Sequence, residues 1–278
     1  PGYGRLEWVG FGIDQTARAT GAHGIAPVSF AVPAAYDRFM GRYSKLLAPR
    51  LADMAGLTAG QRVLDVGCGP GALTGELVTR LGSDAVSAVD PSQPFVEAVR
   101  ERYPGVDVQR ASAESLPFPD EAFDAVLAQL VVHFMTDPVM GLGEMRRVTR
   151  KEGVVAACVW DHAGDRGPLS PFWKAARRLD PEVEDESRLP GVRAGHLGEL
   201  LLAAGLRQVE ETSLTVAVEH PTFDDWWEPF TLGVGPAGSY VPSLGSRRQA
   251  DLRELARDSL PRAPFVLSAL AWAARGIV

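Results

Sequence analysis

One short stretch, residues 63–74, constrains the fold of this chain more than any other. It opens with the apolar run Val63–Val66, which one carboxylate interrupts, and three alternating glycines follow. The run 72–81 then has the pattern of a helix. A strand, a glycine turn and a helix present backbone N–H groups to a ligand, which can approach closely because glycine has no side chain. We therefore predict a ligand-binding loop directly after the first strand.

The pattern beyond residue 60 alternates between strands and helices. Strands are predicted at 62–67, 85–90, 106–110, 123–128 and 153–160, and helices at 72–81, 93–102 and 138–150. Regular alternation with short loops indicates a parallel sheet with helices on both faces, and right-handed crossovers make it doubly wound. Ligands of such sheets bind beyond the carboxyl ends of the strands.

The last hundred residues have a different pattern. Residues 163–194 are proline-rich and acidic, which predicts a loop with one short helix. A strand at 206–220, helical residues at 221–262 and a strand at 265–273 would form an antiparallel pair at the sheet edge. The helical insert contains aromatic residues that form either its own core or the wall of a substrate pocket: Trp226, Trp227, Phe230 and Tyr240.

The chain divides into a lead and one domain. We expect residues 1–33 to be a disordered lead, either expression-derived or an upstream extension. Residues 34–278 are expected to form a single domain. Its parts are an N-terminal helical segment at 34–60, a ligand-binding core at 61–160 and a substrate-side half at 161–278.

The helical segment before the first strand has two interpretations. Helical patterns at 34–40 and 43–54 fit a helix pair that simply packs on the domain. They also fit a lid over the ligand that carries Tyr36, Arg42 and Tyr43. Aromatic rings and a guanidinium group suit a charged, planar ligand. The sequence leaves both interpretations open.

Charge and cysteine content narrow the function classes. The net charge is −7, and there is no run of Lys or Arg, which argues against a nucleic-acid partner. The two cysteines, Cys68 and Cys158, cannot form a disulfide framework and favour a reducing, cytoplasmic compartment. No apolar run is long enough for a membrane span.

Polar residues lie at the predicted strand ends. Asp90 ends the second strand about 20 positions after the glycine loop, a spacing that suits the two hydroxyls of a ribose. Pro91 keeps Asp90 extended, although Asp90 could also cap a helix. Small residues around Ser112 and Ala113, followed by Glu114, leave room for a flat base.

The fourth strand is predicted to end at an active-site edge, with Gln129 and then His133. The neutral pKa range of histidine suits a general base, although a histidine in an apolar run is often simply packed. Asp161 and His162, after the fifth strand, are further candidates. We predict no metal site.

Together these motifs resemble the class I S-adenosylmethionine-dependent methyltransferases, in the small-molecule branch that is similar to enzymes of ubiquinone and menaquinone biosynthesis. The matching segments are the loop at 63–71, the strand end at Asp90, the segment 113–118, and 144–148 before Gly153. The resemblance implies a seven-stranded, mostly parallel, Rossmann-like α/β sheet with an antiparallel last strand. A helical lid would precede the sheet and a helical insert would precede its last strand.

The resemblance also implies S-adenosylmethionine as cofactor and S-adenosylhomocysteine as product. In such enzymes Asp65 and the glycine loop would hold the methionine portion, Asp90 the ribose and Ala113 the adenine, and Gln129 would line the transferred methyl. The full implied set is Tyr36, Arg42, Tyr43, Asp65, Gly67, Cys68, Gly69, Asp90, Pro91, Ser112, Ala113, Glu114 and Gln129. One departure is Ser112, where many relatives carry an aspartate.

The sequence therefore predicts methyl transfer to a small, fairly apolar metabolite by a monomer or homodimer, with His133 as candidate base. Two other classes stay open. One is a protein that binds S-adenosylmethionine without catalysis. The other is an NAD-dependent oxidoreductase, because the glycine loop also fits a dinucleotide fingerprint.

Overall fold

A computed structural model describes residues 33–278. Our expectation of a disordered lead at residues 1–33 therefore concerns residues outside the described part of the chain, apart from Pro33. Pro33 itself opens the first helix. The strands are β1 (Val63–Val66), β2 (Val86–Asp90), β3 (Asp107–Arg110), β4 (Phe123–Gln129), β5 (Thr149–Trp160), β6 (Arg207–His220) and β7 (Phe265–Ile277).

Ten α-helices surround the strands in the described part of the chain. They are α1 (Pro33–Phe39), α2 (Gly41–Ala55), α3 (Ala72–Leu81), α4 (Gln93–Arg102), α5 (Pro138–Val148), α6 (Ser170–Leu179), α7 (His196–Ala203), α8 (Phe223–Trp227), α9 (Gly235–Ser243) and α10 (Ser246–Asp258). No helix among these residues is both long and apolar enough to span a bilayer.

The strands form one sheet in the order β3-β2-β1-β4-β5-β7-β6. Strands β1 to β5 are parallel, whereas β7 runs antiparallel to both of its neighbours. The predicted seven-stranded, mostly parallel sheet is therefore confirmed. The strand order reverses between β1 and β4, and this switch point is where doubly wound sheets open a crevice for a ligand.

Both faces of the sheet are covered, because its central strands are apolar on both sides. All four residues of β1 are buried. One apolar cluster joins α2, α3 and α4 to one face through residues such as Leu47, Leu73 and Val96. The other cluster joins α5 and α7 to the opposite face through Leu142 and Leu197.

β5 and β7 are each four residues longer than the sequence predicts. β5 begins at Thr149 rather than 153, because Thr149 pairs with Phe123 before the register shifts. Helix α5 therefore ends at Val148 and not at residue 150. β7 continues to Ile277 rather than 273, because its residues 271–277 pair with β5 on one side while the strand pairs with β6 on the other.

The aromatic residues of the insert pack mainly with each other and with α6. The rings of Phe172 and Phe230 stack 4.4 Å apart, and Trp226 and Trp227 are buried beside them. Of the two interpretations for these aromatic residues, the structure therefore favours a core for the insert. The insert reaches a cavity through other residues, at 234–237.

Candidate functional site

The main cavity, of about 470 Å³, lies beyond the carboxyl ends of β1, β2 and β4. Its walls come from segments that are far apart in sequence, from α1 to the start of α5. The sequence-predicted residues that the structure brings together around it are Tyr36, Gly67, Gly69, Asp90, Pro91, Ser112, Ala113, Glu114 and Gln129. The topological switch point thus forms a single cavity there, as the alternating pattern indicates.

The glycine loop is held against β2 by its own backbone. The amides of Gly67 and Cys68 both donate to the carbonyl oxygen of Val89, at 2.8 and 3.0 Å. Gly67 has a φ of 70°, and a Cβ there would lie 2.4 Å from a methyl group of Val131. Only glycine meets both constraints, because a side chain at this φ is strained and would collide with Val131.

Asp90 connects the loop to the end of β2. Its carboxylate accepts hydrogen bonds from the amides of Gly69, at 2.9 Å, and Ser92, at 2.8 Å. Burial raises the pKa of Asp90 to about 6, and the two N–H donors act in the opposite direction. The carboxylate therefore positions the loop and also lies at the wall of the cavity.

Asp65 is buried in β1 beneath α3, one residue short of the loop. Its Oδ2 accepts a hydrogen bond of 2.6 Å from Thr74 Oγ1. Within residues 33–278, its Oδ1 has no partner, and Asp65 is not part of the cavity wall. Burial raises the pKa of Asp65 to about 7, although the Thr74 hydrogen bond lowers it.

The raised pKa of Asp65 predicts a specific pH dependence of stability. The folded protein holds this proton more tightly than the unfolded chain, so the contribution is complete below pH about 4 and is lost as the pH rises through about 7. We expect the free energy of unfolding to fall by ~3 kcal/mol more in the wild type than in Asp65→Asn between pH 5 and 8. Urea unfolding at both pH values measures this difference.

The control for this prediction is Asp107→Asn, which changes an exposed aspartate on β3. Its pH profile should follow the wild type. Asp90 contributes a dependence of the same sign in every variant, and its charge is one of the smaller causes of the raised pKa of Asp65, so the difference between the profiles reports Asp65 together with that coupling. Parallel profiles for the wild type and Asp65→Asn would contradict the prediction.

Gln129 lies at the wall of the cavity and carries a buried acceptor that the described residues leave unsatisfied. Its Nε2 donates to the carbonyl oxygen of Ser44 in α2, at 3.1 Å. The buried Oε1 finds no hydrogen-bond partner in the described part of the chain. Because buried polar atoms are almost always paired, this oxygen is available for a ligand.

Glu114 has a bridging position at the cavity wall. Its Oε1 accepts hydrogen bonds from the amides of Thr136, at 2.8 Å, and Asp137, at 3.4 Å. The segment after β3 is thereby joined to the turn that leads into α5. Ser112 and Ala113 lie beside it in the same wall.

The structure does not bring Arg42 and Tyr43 to the cavity. Arg42 donates to Asp225 Oδ2 at 2.7 Å, and the Tyr43 hydroxyl lies 3.0 Å from His220 Nε2. These contacts fasten α2 to β6 and α8, so α2 is packed on the sheet rather than poised as a lid. Of the three expected lid residues, only Tyr36 lies at the cavity. The side chains of Arg42 and Tyr43 therefore take their direction from contacts with β6 and α8, which are distant in sequence.

Cys68 and His133 also lie outside the wall of the main cavity. The Cys68 side chain belongs to an apolar cluster, and burial raises the pKa of its thiol well above the usual range. His133 lines a second, smaller cavity of about 40 Å³. Burial, assisted by the neighbouring His162, lowers the pKa of His133 well below its usual value.

Comparisons with known proteins agree with this geometry. Residues 64–157 match a family model described as "Methyltransferase domain". The chain is 35% identical over 154 residues to a phosphatidylethanolamine N-methyltransferase of Cereibacter sphaeroides, covering 53% of this chain and 73% of that protein. The chain belongs to the class I S-adenosylmethionine-dependent methyltransferases.

Two further comparisons for this methyltransferase cover a shorter segment and the fold, respectively. A chloroplastic 2-methyl-6-phytyl-1,4-hydroquinone methyltransferase of Oryza sativa is 36% identical over 115 residues, which are 40% of this chain and 31% of that one. The YcgJ protein of Bacillus subtilis has the same fold, with a TM-score of 0.56, 20% identity, and coverage of 84% and 97%. The chain spans about half the length of most curated relatives that it matches.

The residues around the main cavity of this methyltransferase fit the cofactor of the family. The cavity volume is within the range of small-molecule and cofactor sites. The unpartnered Gln129 Oε1 and the Asp90 carboxylate offer acceptors to a ligand rich in hydroxyl and amino groups. The bare backbone at Gly67 and Gly69 permits close approach.

Sequence reasoning missed several wall residues of this methyltransferase. Phe95 and Phe134 line the main cavity, each five residues beyond the polar side chain that ends its strand. That spacing from Asp90 and Gln129 was available in the sequence as a signal. Met135 and Met140 also contribute, and their polarizable side chains adapt to the shape of a ligand.

Proposed function

We propose that this methyltransferase acts on a small, fairly apolar molecule. The observation that carries the proposal is the second cavity, which adjoins the first and shares Tyr36, Leu130 and Phe134 with it. Its remaining wall is mostly apolar, with Phe39, Met40, Trp160, Leu169 and Val234. A mostly apolar recess of about 40 Å³ next to the cofactor cavity suits one end of a small acceptor better than a nucleic acid or a folded protein.

Two further facts support an acceptor that is neither a nucleic acid nor a protein. The names of two relatives specify a phospholipid headgroup and a hydroquinone as their acceptors. The net charge of −7 disfavours polyanionic substrates. These relatives also support, loosely, a place in the branch that includes quinone methyltransferases.

We assign roles at the main cavity by residue. Asp90 would accept hydrogen bonds from the ribose hydroxyls, and Ser112, Ala113 and Glu114 would flank the adenine. The backbone of Gly67 and Gly69 would hold the methionine portion, next to Gln129. The bound cofactor supplies an activated methyl group on its sulfonium. The protein contributes orientation of the acceptor and exclusion of water.

Calorimetric titration tests cofactor choice first. We expect S-adenosylmethionine and S-adenosylhomocysteine to bind with micromolar dissociation constants, and NAD to give no heat of binding. Because the binding loop also fits a dinucleotide fingerprint, NAD is the informative competitor. Binding of NAD alone would reject the cofactor assignment.

The acceptor class is tested with methyl-labelled cofactor and a cell extract separated by ultrafiltration. We expect the label to appear in the low-molecular-weight fraction, in organic-extractable products. Label in protein or nucleic acid would contradict the proposal. Cofactor binding without labelled product in either fraction would instead favour a non-catalytic binding protein.

A further inference from the structure

We propose that His133, His162 and Glu186 form a binding site for one divalent transition-metal ion. The three side chains come from separate segments: a short 3-10 turn after β4, the loop after β5, and a 3-10 turn between α6 and α7. One ring nitrogen of each imidazole and one carboxylate oxygen lie within 4.8 Å of one another. The fold therefore brings three metal-ligating groups together in three dimensions.

The ligand chemistry indicates the class of ion. Two imidazoles and one carboxylate are a donor set for Zn²⁺, Fe²⁺ or Co²⁺, whereas Mg²⁺ and Ca²⁺ prefer oxygen ligands. His162 Nε2 and Glu186 Oε1 are already 4.0 Å apart. Bond lengths of about 2.1 Å place the ligand atoms of a tetrahedral site about 3.4 Å apart. Small rotations of the side chains would close that difference.

Burial is the strongest argument for a cation at this position. His133, His162 and Glu186 are only 3%, 6% and 3% exposed. Across residues 33–278, no lysine or arginine pairs with the Glu186 carboxylate, and its ion-pair contact is with His162. A buried carboxylate needs a compensating charge, which a metal ion supplies.

The surroundings orient the ligands as they do in established metal sites. Trp173 Nε1 donates to Glu186 Oε2 at 2.9 Å and leaves Oε1 directed toward His162. Such outer hydrogen bonds fix the geometry of ligating groups. In the described residues, Nδ1 of His133 is buried without a hydrogen-bond partner, so no competing hydrogen bond holds that nitrogen.

The three residues line the smaller cavity, of about 40 Å³, which provides space for an ion and about one water-sized ligand. The inference gives His133 the role of a ligand in place of a general base. It does not depend on the proposed acceptor, because metal binding requires neither cofactor nor substrate.

The test is a titration of the whole chain, without a polyhistidine tag, with Co²⁺ followed by visible absorption and with Zn²⁺ followed by calorimetry. We expect one equivalent of each metal and displacement of Co²⁺ by Zn²⁺. In His162→Gln and Glu186→Gln the affinity should fall at least about tenfold, since even the loss of an outer-shell partner costs that much.

The matched control is His196→Gln, which removes an imidazole at the start of α7, outside the cluster. Its metal affinity should equal that of the wild type. Circular dichroism verifies that each variant is folded, and His133→Asn replaces any variant that is not. Absence of one-equivalent binding, or equal affinity in the cluster variants, would overturn the site. Neither result would affect the titration with S-adenosylmethionine.

Discussion

Replacement of Asp90 by alanine should weaken the binding of S-adenosylmethionine roughly a hundredfold, or by about 3 kcal/mol. The variant removes the carboxylate proposed to accept the ribose hydroxyls. It also releases the Gly69 amide, which Asp90 holds at 2.9 Å, and so frees the loop. Calorimetric titration of the wild type and the variant measures the loss.

A matched variant separates the ligand contact from general destabilisation. Asp124 also accepts a backbone hydrogen bond, from the Arg62 amide at 2.7 Å, but it lies near the amino end of β4. Asp124→Ala should therefore reduce stability while cofactor affinity stays unchanged. A dissociation constant for Asp90→Ala within threefold of the wild type would contradict the assignment of Asp90.

The second large effect is expected at Gly67. Alanine at this position combines a φ of 70° with a Cβ only 2.4 Å from a Val131 methyl group. Val131 cannot rotate away easily, because its branched side chain has a restricted χ1. In addition, the Cβ of Val131, which rotation about χ1 does not move, would lie 3.1 Å from the new alanine Cβ. We expect Gly67→Ala to destabilise the fold by about 3 kcal/mol, which lowers the melting temperature by roughly 10 °C.

Gly69→Ala is the control for this prediction. Like Gly67, Gly69 has a positive φ, but a Cβ at Gly69 would not collide with a neighbouring side chain. Its φ is 52°, and no described atom beyond its chain neighbours lies within 4 Å of an added Cβ. The expected loss is about 1 kcal/mol, the cost of the backbone conformation alone. Equal melting temperatures for the two variants would show that contact with Val131 carries no energy.

The fold could be predicted from the sequence because its signals are local. Each strand and helix of the 61–160 core has its own periodicity, and the glycine loop marks the switch point. The strand ends then place Asp90 and Gln129 at the edge of the sheet where a ligand is expected. The sequence predicted strand ends less well where they depend on pairing with a neighbouring strand, as at Thr149 in β5 and Ile277 in β7.

The direction of side chains on α2 could not be predicted. Arg42 and Tyr43 contact Asp225 and His220, which are 183 and 177 residues away in sequence. The same limit applies to Glu186, in a proline-rich, acidic segment for which the sequence predicts only a loop with one short helix. Its proximity to His133 and His162 exists only in the folded chain.

The position of β7 has a consequence for the order in which the protein forms during synthesis. β6 has only β7 as a sheet neighbour, and β7 is the later of the two strands in the sequence. On a ribosome, β6 would remain unpaired for several seconds, at about 5–20 residues per second. Val216 and Val218 would be exposed during that interval, at an open strand edge prone to association. The nascent chain therefore depends on β7, which is made after β6, to join β6 to a core that is already made.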